Sequence, residues 1–116
     1  MAKTGMQEPT FLVLTALAGG PRHGYAVMRE VTAASEGRVR LRAGTLYAAL
    51  ERLEAEGLVR ACDSEVVDGR RRRYYELTDQ GAARLAEEAA RAAANAARAK
   101  RALAARTARA ARTVTA

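Results

Sequence analysis

The chain has 116 residues, room for one small domain and an extension but not for two domains. Aromatic residues make up only 4% and tryptophan is absent, so a core has to be built from Leu, Val and Ala. A net charge of +7 points to a polyanion partner, nucleic acid before membrane, while one cysteine and one histidine exclude an intrachain disulfide and leave a zinc site without ligands.

The charge is unevenly placed: residues 1–42 carry +3, 43–69 carry −4, 70–83 carry +2 and 84–116 carry +6. Residues 1–8 read as a polar, flexible leader. Pro9 suits the first turn of a helix that continues to Ala18, with Phe11, Leu12, Leu14 and Leu17 forming a broad apolar face, and Gly19-Gly20-Pro21 ends it. Lys3 followed by the run Phe11–Ala18 imitates a short signal peptide. Glu8 and Pro9 precede that run, however, and cleavage would remove a helix the domain needs, so it is read as core. No apolar stretch approaches the ~20 residues of a membrane span. The lack of disulfides fits a reducing, cytoplasmic setting.

Residues 24–35 form a second helix with Tyr25, Met28, Val31 and Thr32 on one side. His23, just before it, reads as a capping or packing group, since nothing nearby completes a catalytic set. Arg38, Arg40 and Arg42 alternate with Val39 and Leu41 in a short extended segment, which makes Arg40 and Arg42 candidate phosphate contacts.

The next stretch, 43–77, organises the rest. Leu46, Leu50, Leu53 and Gly57 recur with helical period, and Gly57 sits where a C-terminal cap belongs. Thr45, Ala48, Ala49 and Arg52 fall on the opposite side. Small residues there let the backbone approach a groove, and Thr45 and Arg52 can bond to base edges. Glu51, Glu54 and Glu56 crowd the second half, which leaves the N-terminal half to meet phosphates, as in a helix-turn-helix recognition helix. Alone, this pattern fits an ordinary amphipathic helix equally well. The continuation decides: Leu58–Val66 is a strand candidate, Asp68-Gly69 is a hairpin turn, and Arg70 to Leu77 returns. Arg70, Arg71, Arg72 and Arg73 repel one another unless an anion lies close. A helix followed by a basic-tipped hairpin is the layout of a winged helix. Cys62, within the first strand, reads as a small buried filler.

Thr78 is a good N-cap for a last helix without proline, in which 18 of residues 82–116 are alanine, a strong helix former. Leu85, Ala89, Ala92, Ala96, Ala99 and Leu103 step by 4, 3, 4, 3 and 4, a heptad seam suited to pairing with a second copy. Arg106 breaks that register, so 106–116 reads as a basic, frayed tail.

These residues resemble the PadR family of winged-helix transcriptional regulators. The likeness covers about residues 10–85. It rests on Gly20-Pro21-x-His23-Gly24-Tyr25, on Gly44-Thr45-Leu46-Tyr47-x-x-Leu50-x-x-Leu53-Glu54-x-x-Gly57-Leu58-Val59, on Gly69-Arg70-Arg71-Arg72-Arg73-Tyr74-Tyr75 and on Leu77-Thr78-Asp79-x-Gly81. The resemblance implies a dimeric DNA-binding regulator, most often a repressor, with helix 44–57 in the major groove, the basic wing 68–74 on the phosphate backbone and Tyr47 within reach of a phosphate. Ala48 stands where the motif usually has Pro. Some relatives bind flat aromatic effectors through aromatic residues of the last helix, but residues 78–116 contain none.

The expectation is therefore a mainly α chain with a small β-hairpin: leader 1–8, winged-helix domain 9–77, dimerisation helix 78–105 and tail 106–116. Its partners are double-stranded DNA, a second copy of itself and an unidentified effector, with no cofactor, metal or catalytic residues. Two other functions compete: a sequence-blind architectural DNA-binding protein using the Ala/Arg-rich tail, and a protein adaptor using the acidic belt 43–69.

Overall fold

Helix α3, Ala43–Ala55, is held by its leucine stripe: Leu46, Leu50 and Leu53 are at most 1% exposed. The computed structural model describes residues 5–115. Its elements are α1 (Glu8–Ala18), β1 (Arg22–His23), α2 (Gly24–Ala34), α3, β2 (Val59–Val67), β3 (Arg70–Leu77) and α4 (Asp79–Thr115). The chain divides into two compact units, Met1–Ala86 and Glu87–Ala116.

In the first unit, Val13, Leu14 and Leu17 of α1 and Val27 and Val31 of α2 pack on the α3 leucines, with Leu58, Val59 and Tyr75 closing the cluster from the sheet side. Each such side chain contributes about 1.5–3 kcal/mol on full burial. This is the expected winged-helix arrangement of short helices and a small antiparallel sheet. Of the side of α2 read from the sequence, Val31 is buried and Met28 packs against the core, whereas Tyr25 does not share their face. Val27 and Val31, one turn apart, point inward, whereas Tyr25 lies about 200° from Val27 around the helix. Tyr25 is 62% exposed and carries the Arg29 guanidinium 5.6 Å from its ring centroid.

The sheet has three strands in the order β1-β3-β2, not a lone hairpin. β1 is only two residues, Arg22 and His23, paired with Tyr75 and Tyr74. It is too short to show an alternating pattern in sequence. β2 and β3 pair from Val59↔Leu77 to Val67↔Arg70. Asp68 and Gly69 both have positive φ, 53° and 76°, the signature of a two-residue type I′ turn. Between Ala61↔Tyr75 and Ser64↔Arg73 the register shifts, so that Cys62 and Asp63 oppose the single residue Tyr74, a β-bulge. Cys62 is exposed, not the buried filler expected. From the bulge outward the hairpin leaves the core, and residues 62–66 are all exposed.

At the end of the sheet, Thr78 starts α4. Its hydroxyl accepts the Gly81 N–H at 2.9 Å and donates to the Gly57 carbonyl at 2.6 Å, while its own N–H donates to the Leu58 carbonyl at 3.1 Å. Helix α4 crosses Leu58 so closely that a Cβ on Gly81 would sit 2.0 Å from the Leu58 carbonyl oxygen. Leu85 follows one turn later and packs against the core cluster. The first residue of the expected pairing seam is thus partly used within its own fold. At its other end α4 continues through Arg106 to Thr115, since Ala and Arg are both strong helix formers. Of the expected leader, residues 1–4 lie outside the described residues, 5–7 are irregular and Glu8 opens α1. Ala116 also lies outside the described residues.

Gly81→Ala is expected to force backbone against backbone and destabilise the first unit by about 1–3 kcal/mol or more. Thermal unfolding reads this as a fall of roughly 4–8 °C per kcal/mol. An unchanged Tm would contradict the close crossing at Leu58.

Candidate nucleic-acid interface

The leucine stripe leaves two flanks of α3 free, and they face different surroundings. Tyr47 lies on one. It is 48% exposed, and its phenol rests against the start of α2 so tightly that a Cβ on Gly24 would lie 2.5 Å from Oη. Tyr47, His23, Gly24 and Tyr25 line one side of a depression of about 810 Å³, and Arg70, Arg71, Arg72 and Arg73 line the other. The fold thus brings together Tyr47 and the four wing arginines, eight residues of β-strand alternation notwithstanding.

That alternation gives the arginines different neighbours. Arg72 stands opposite Glu65, whose carboxylate accepts the Tyr74 hydroxyl at 2.7 Å. This bond keeps the Tyr74 phenol protonated above its usual range. Arg71 stands opposite Val66 and Arg73 opposite Ser64, so neither has a carboxylate across the ladder. Cations lining a concave surface reinforce one another's field and attract an anion such as a phosphate.

On the other flank of α3, Thr45, Ala48, Ala49 and Arg52 line a separate cleft of about 770 Å³ together with Pro9, Thr10 and Leu41. Thr45 and Ala48 are exposed and Ala49 is half-buried. The Arg52 guanidinium donates to Thr10 Oγ1 at 3.0 Å. The four residues expected to read bases do share a face, but not with the wing, and Arg52 is tethered to α1. No local pattern signals that cleft, because its two walls are more than thirty residues apart in the chain.

Arg42 is exposed at the N-cap position of α3, and Arg40 is exposed beside Tyr25 and Arg29. Arg38 leaves their row, because its guanidinium grips both carboxylate oxygens of Glu8. His23 is both the capping and the packing group that its position suggests. Its Nδ1 accepts the Ala26 N–H at 3.2 Å, capping α2, and its ring meets Tyr74 edge-on at 5.5 Å. Burial, followed by the charges of Arg72 and Arg29, lowers its pKa, and Glu65 opposes them.

In the second unit, Ala89, Ala92, Ala96 and Ala99 are exposed and Leu103 is 62% exposed. Among the described residues no group of His, Cys, Asp and Glu could hold a metal ion, and no helix is long and apolar enough to cross a membrane.

Residues 13–87 match the model of the transcriptional regulator PadR-like family. The chain belongs to that family. It is 43% identical over 67 residues to the transcriptional regulator Rv3488 of Mycobacterium tuberculosis, a match that takes in 58% of this chain and 49% of that protein. The chain thus spans about half the length of this curated relative. A PadR family regulator from Eggerthella lenta superposes with a TM-score of 0.63 at 30% identity, over 79% of this chain and 80% of that one. Bacillus subtilis PadR in complex with operator DNA shares the fold, with a TM-score of 0.62 at 20% identity over 70% of this chain and 46% of that one. The family and these neighbours are transcription regulators, not enzymes.

The His23 cap gives this PadR-like chain a pH dependence with a defined sign. The folded state favours the neutral ring, so the unfolded chain binds a proton first and stability rises with pH through that interval. Stability is full above about 6.5, the ordinary imidazole value, and falls as pH drops from there toward the lowered folded pKa. Urea unfolding at pH 7.5 and 5.5 should show this loss in the wild type and a smaller one in His23→Asn, which keeps a capping oxygen. Identical pH dependence in both would contradict the role of the neutral ring.

Proposed function

We propose that this chain is a sequence-specific DNA-binding repressor that acts as a homodimer. The observation that carries the reading is the common surface of Tyr47 and Arg70–Arg73 beside the exposed N-terminal half of α3. In this reading α3 enters the major groove, and Thr45 and Ala48 approach base edges with Ala49 and Arg52 behind them. Arg52 takes part only by releasing Thr10. The wing arginines, Tyr47, Arg40 and Arg42 hold the phosphate backbone. Family membership supports this, as does the operator DNA bound by the Bacillus subtilis relative.

Pairing falls to the exposed seam Ala89, Ala92, Ala96, Ala99 and Leu103, with Leu85 contributing only what the core leaves free. A symmetric dimer would set two copies of α3 on half-sites about 34–36 Å apart. The last helix offers no aromatic side chain on which a flat effector could stack. The architectural alternative gives the joint surface of Tyr47 and the wing no role, and so ranks second.

Arg71→Gln with Arg73→Gln should weaken binding to every duplex and flatten the log–log salt slope by about 2, the share of two phosphate contacts. Thr45→Ala should cost about 1–3 kcal/mol on the preferred site and little on random DNA. Equal losses on both duplexes for Thr45→Ala would contradict the assignment of its face.

A further inference from the structure

Within the second unit, residues 89–115 hold seven cations and no aspartate or glutamate. Placed at 100° per residue on α4, Arg91, Arg98, Arg101, Arg109 and Arg112 fall within a sector of about 80°; Arg106 lies about 60° beyond it, and Arg91 is ion-paired with Glu88 at 3.2 Å. The sector runs about 32 Å along the helix at 1.5 Å per residue. Every described side chain from Ala89 to Val114 is exposed. Apart from Lys100 and Thr107, the opposite side of the helix is small and apolar. Past Leu103 that side continues by steps of 4, 3 and 4 through Thr107 and Ala110 to Val114, an inserted four-residue step that keeps the apolar face straight where a strict heptad would meet Arg106.

Arg98 and Arg101, and Arg106 and Arg109, are like charges three residues apart, which destabilises an isolated helix, and residues 95–111 contain no aspartate or glutamate to relieve them. A seam that pairs with a second copy would also lie on the far side of the helix and leave the arginines uncovered. We infer that this arginine stripe is a second DNA-binding surface, separate from the wing, which grips the phosphates of double-stranded DNA without reading sequence. The guanidinium fork suits phosphate oxygens, and the alanine face is too slight to anchor the helix in a lipid surface, which needs large apolar side chains.

The test uses the full chain and a random-sequence duplex of about 40 base pairs across a salt series. Arg98→Gln, Arg101→Gln and Arg109→Gln together keep good helix formers and remove three cations. The stripe variant should show a salt slope shallower by about 2–3 and bind at least ~10-fold more weakly at low salt. Lys100→Gln, on the opposite side, serves as a control and should change little. Vesicles of phosphatidylglycerol give the lipid arm. A slope unchanged from wild type, or tighter binding to vesicles than to the duplex, overturns the inference. The wing variant Arg71→Gln with Arg73→Gln, measured in parallel, separates the two surfaces. If it loses affinity while the stripe variant does not, the stripe fails and the winged-helix reading stands; the reverse pattern spares the stripe and sinks the wing.

Discussion

Three leucines on one side of α3 set the terms for everything else in the first unit. With Leu46, Leu50 and Leu53 fully buried, the helix is fixed in rotation, and its remaining surface is parcelled out. One flank goes to Tyr47 and the wing, the other to a cleft against α1. The position of α2 follows from the same anchoring, because Val27 and Val31 reach the same cluster, and Tyr47 then seals the join by lying over Gly24. Rotating α3 by one residue would expose a leucine and bury a charge. The burial that stabilises the fold therefore also aims the helix.

The hairpin works by a contrast between its two halves. Its base is core, with Val59 and Tyr75 buried, while beyond the Cys62–Asp63 bulge it carries no apolar obligation and holds the arginines. A bulge increases local twist, and this one separates the structural part of the strands from the charged part. One of the four arginines, Arg72, meets an acid across the ladder, and that acid also engages Tyr74, which packs on the His23 cap. The basic tip is thus linked, through side chains, to the start of α2. The charges of Arg71 and Arg73 find no such partner across the ladder, and an external anion is the physical complement they lack.

Much of this was legible in the residues. Leucine spacing located α3 and its buried side, the Asp68-Gly69 pair located the turn, and Thr78 located the start of α4, because each depends on local chemistry alone. What escaped was set by tertiary placement. β1 is two residues long and exists only because Tyr74 and Tyr75 are there to pair with it. Cys62 looked like filler because its strand is regular in sequence, whereas the bulge is defined only against β3. Tyr25 is grouped on one side of α2 with Val31 in sequence, yet Val27 and Val31 take the inward face and leave it exposed. Thr45, Ala48, Ala49 and Arg52 were correctly grouped on one face, but nothing in their spacing reveals that residues 5–10 pack beside them. Leu85 fits both a heptad and a core, and only the crossing at Gly81 shows how far the core claims it.

In the proposed reading, this PadR-like chain recognises DNA sequence rather than merely binding phosphate. The most direct measurement is a titration of the purified protein against the DNA upstream of its own coding region and against a scrambled duplex, at several salt concentrations. A preference of ~10³ or more for the upstream fragment at moderate salt is the predicted result. Equal affinity for both fragments at every salt concentration would contradict it.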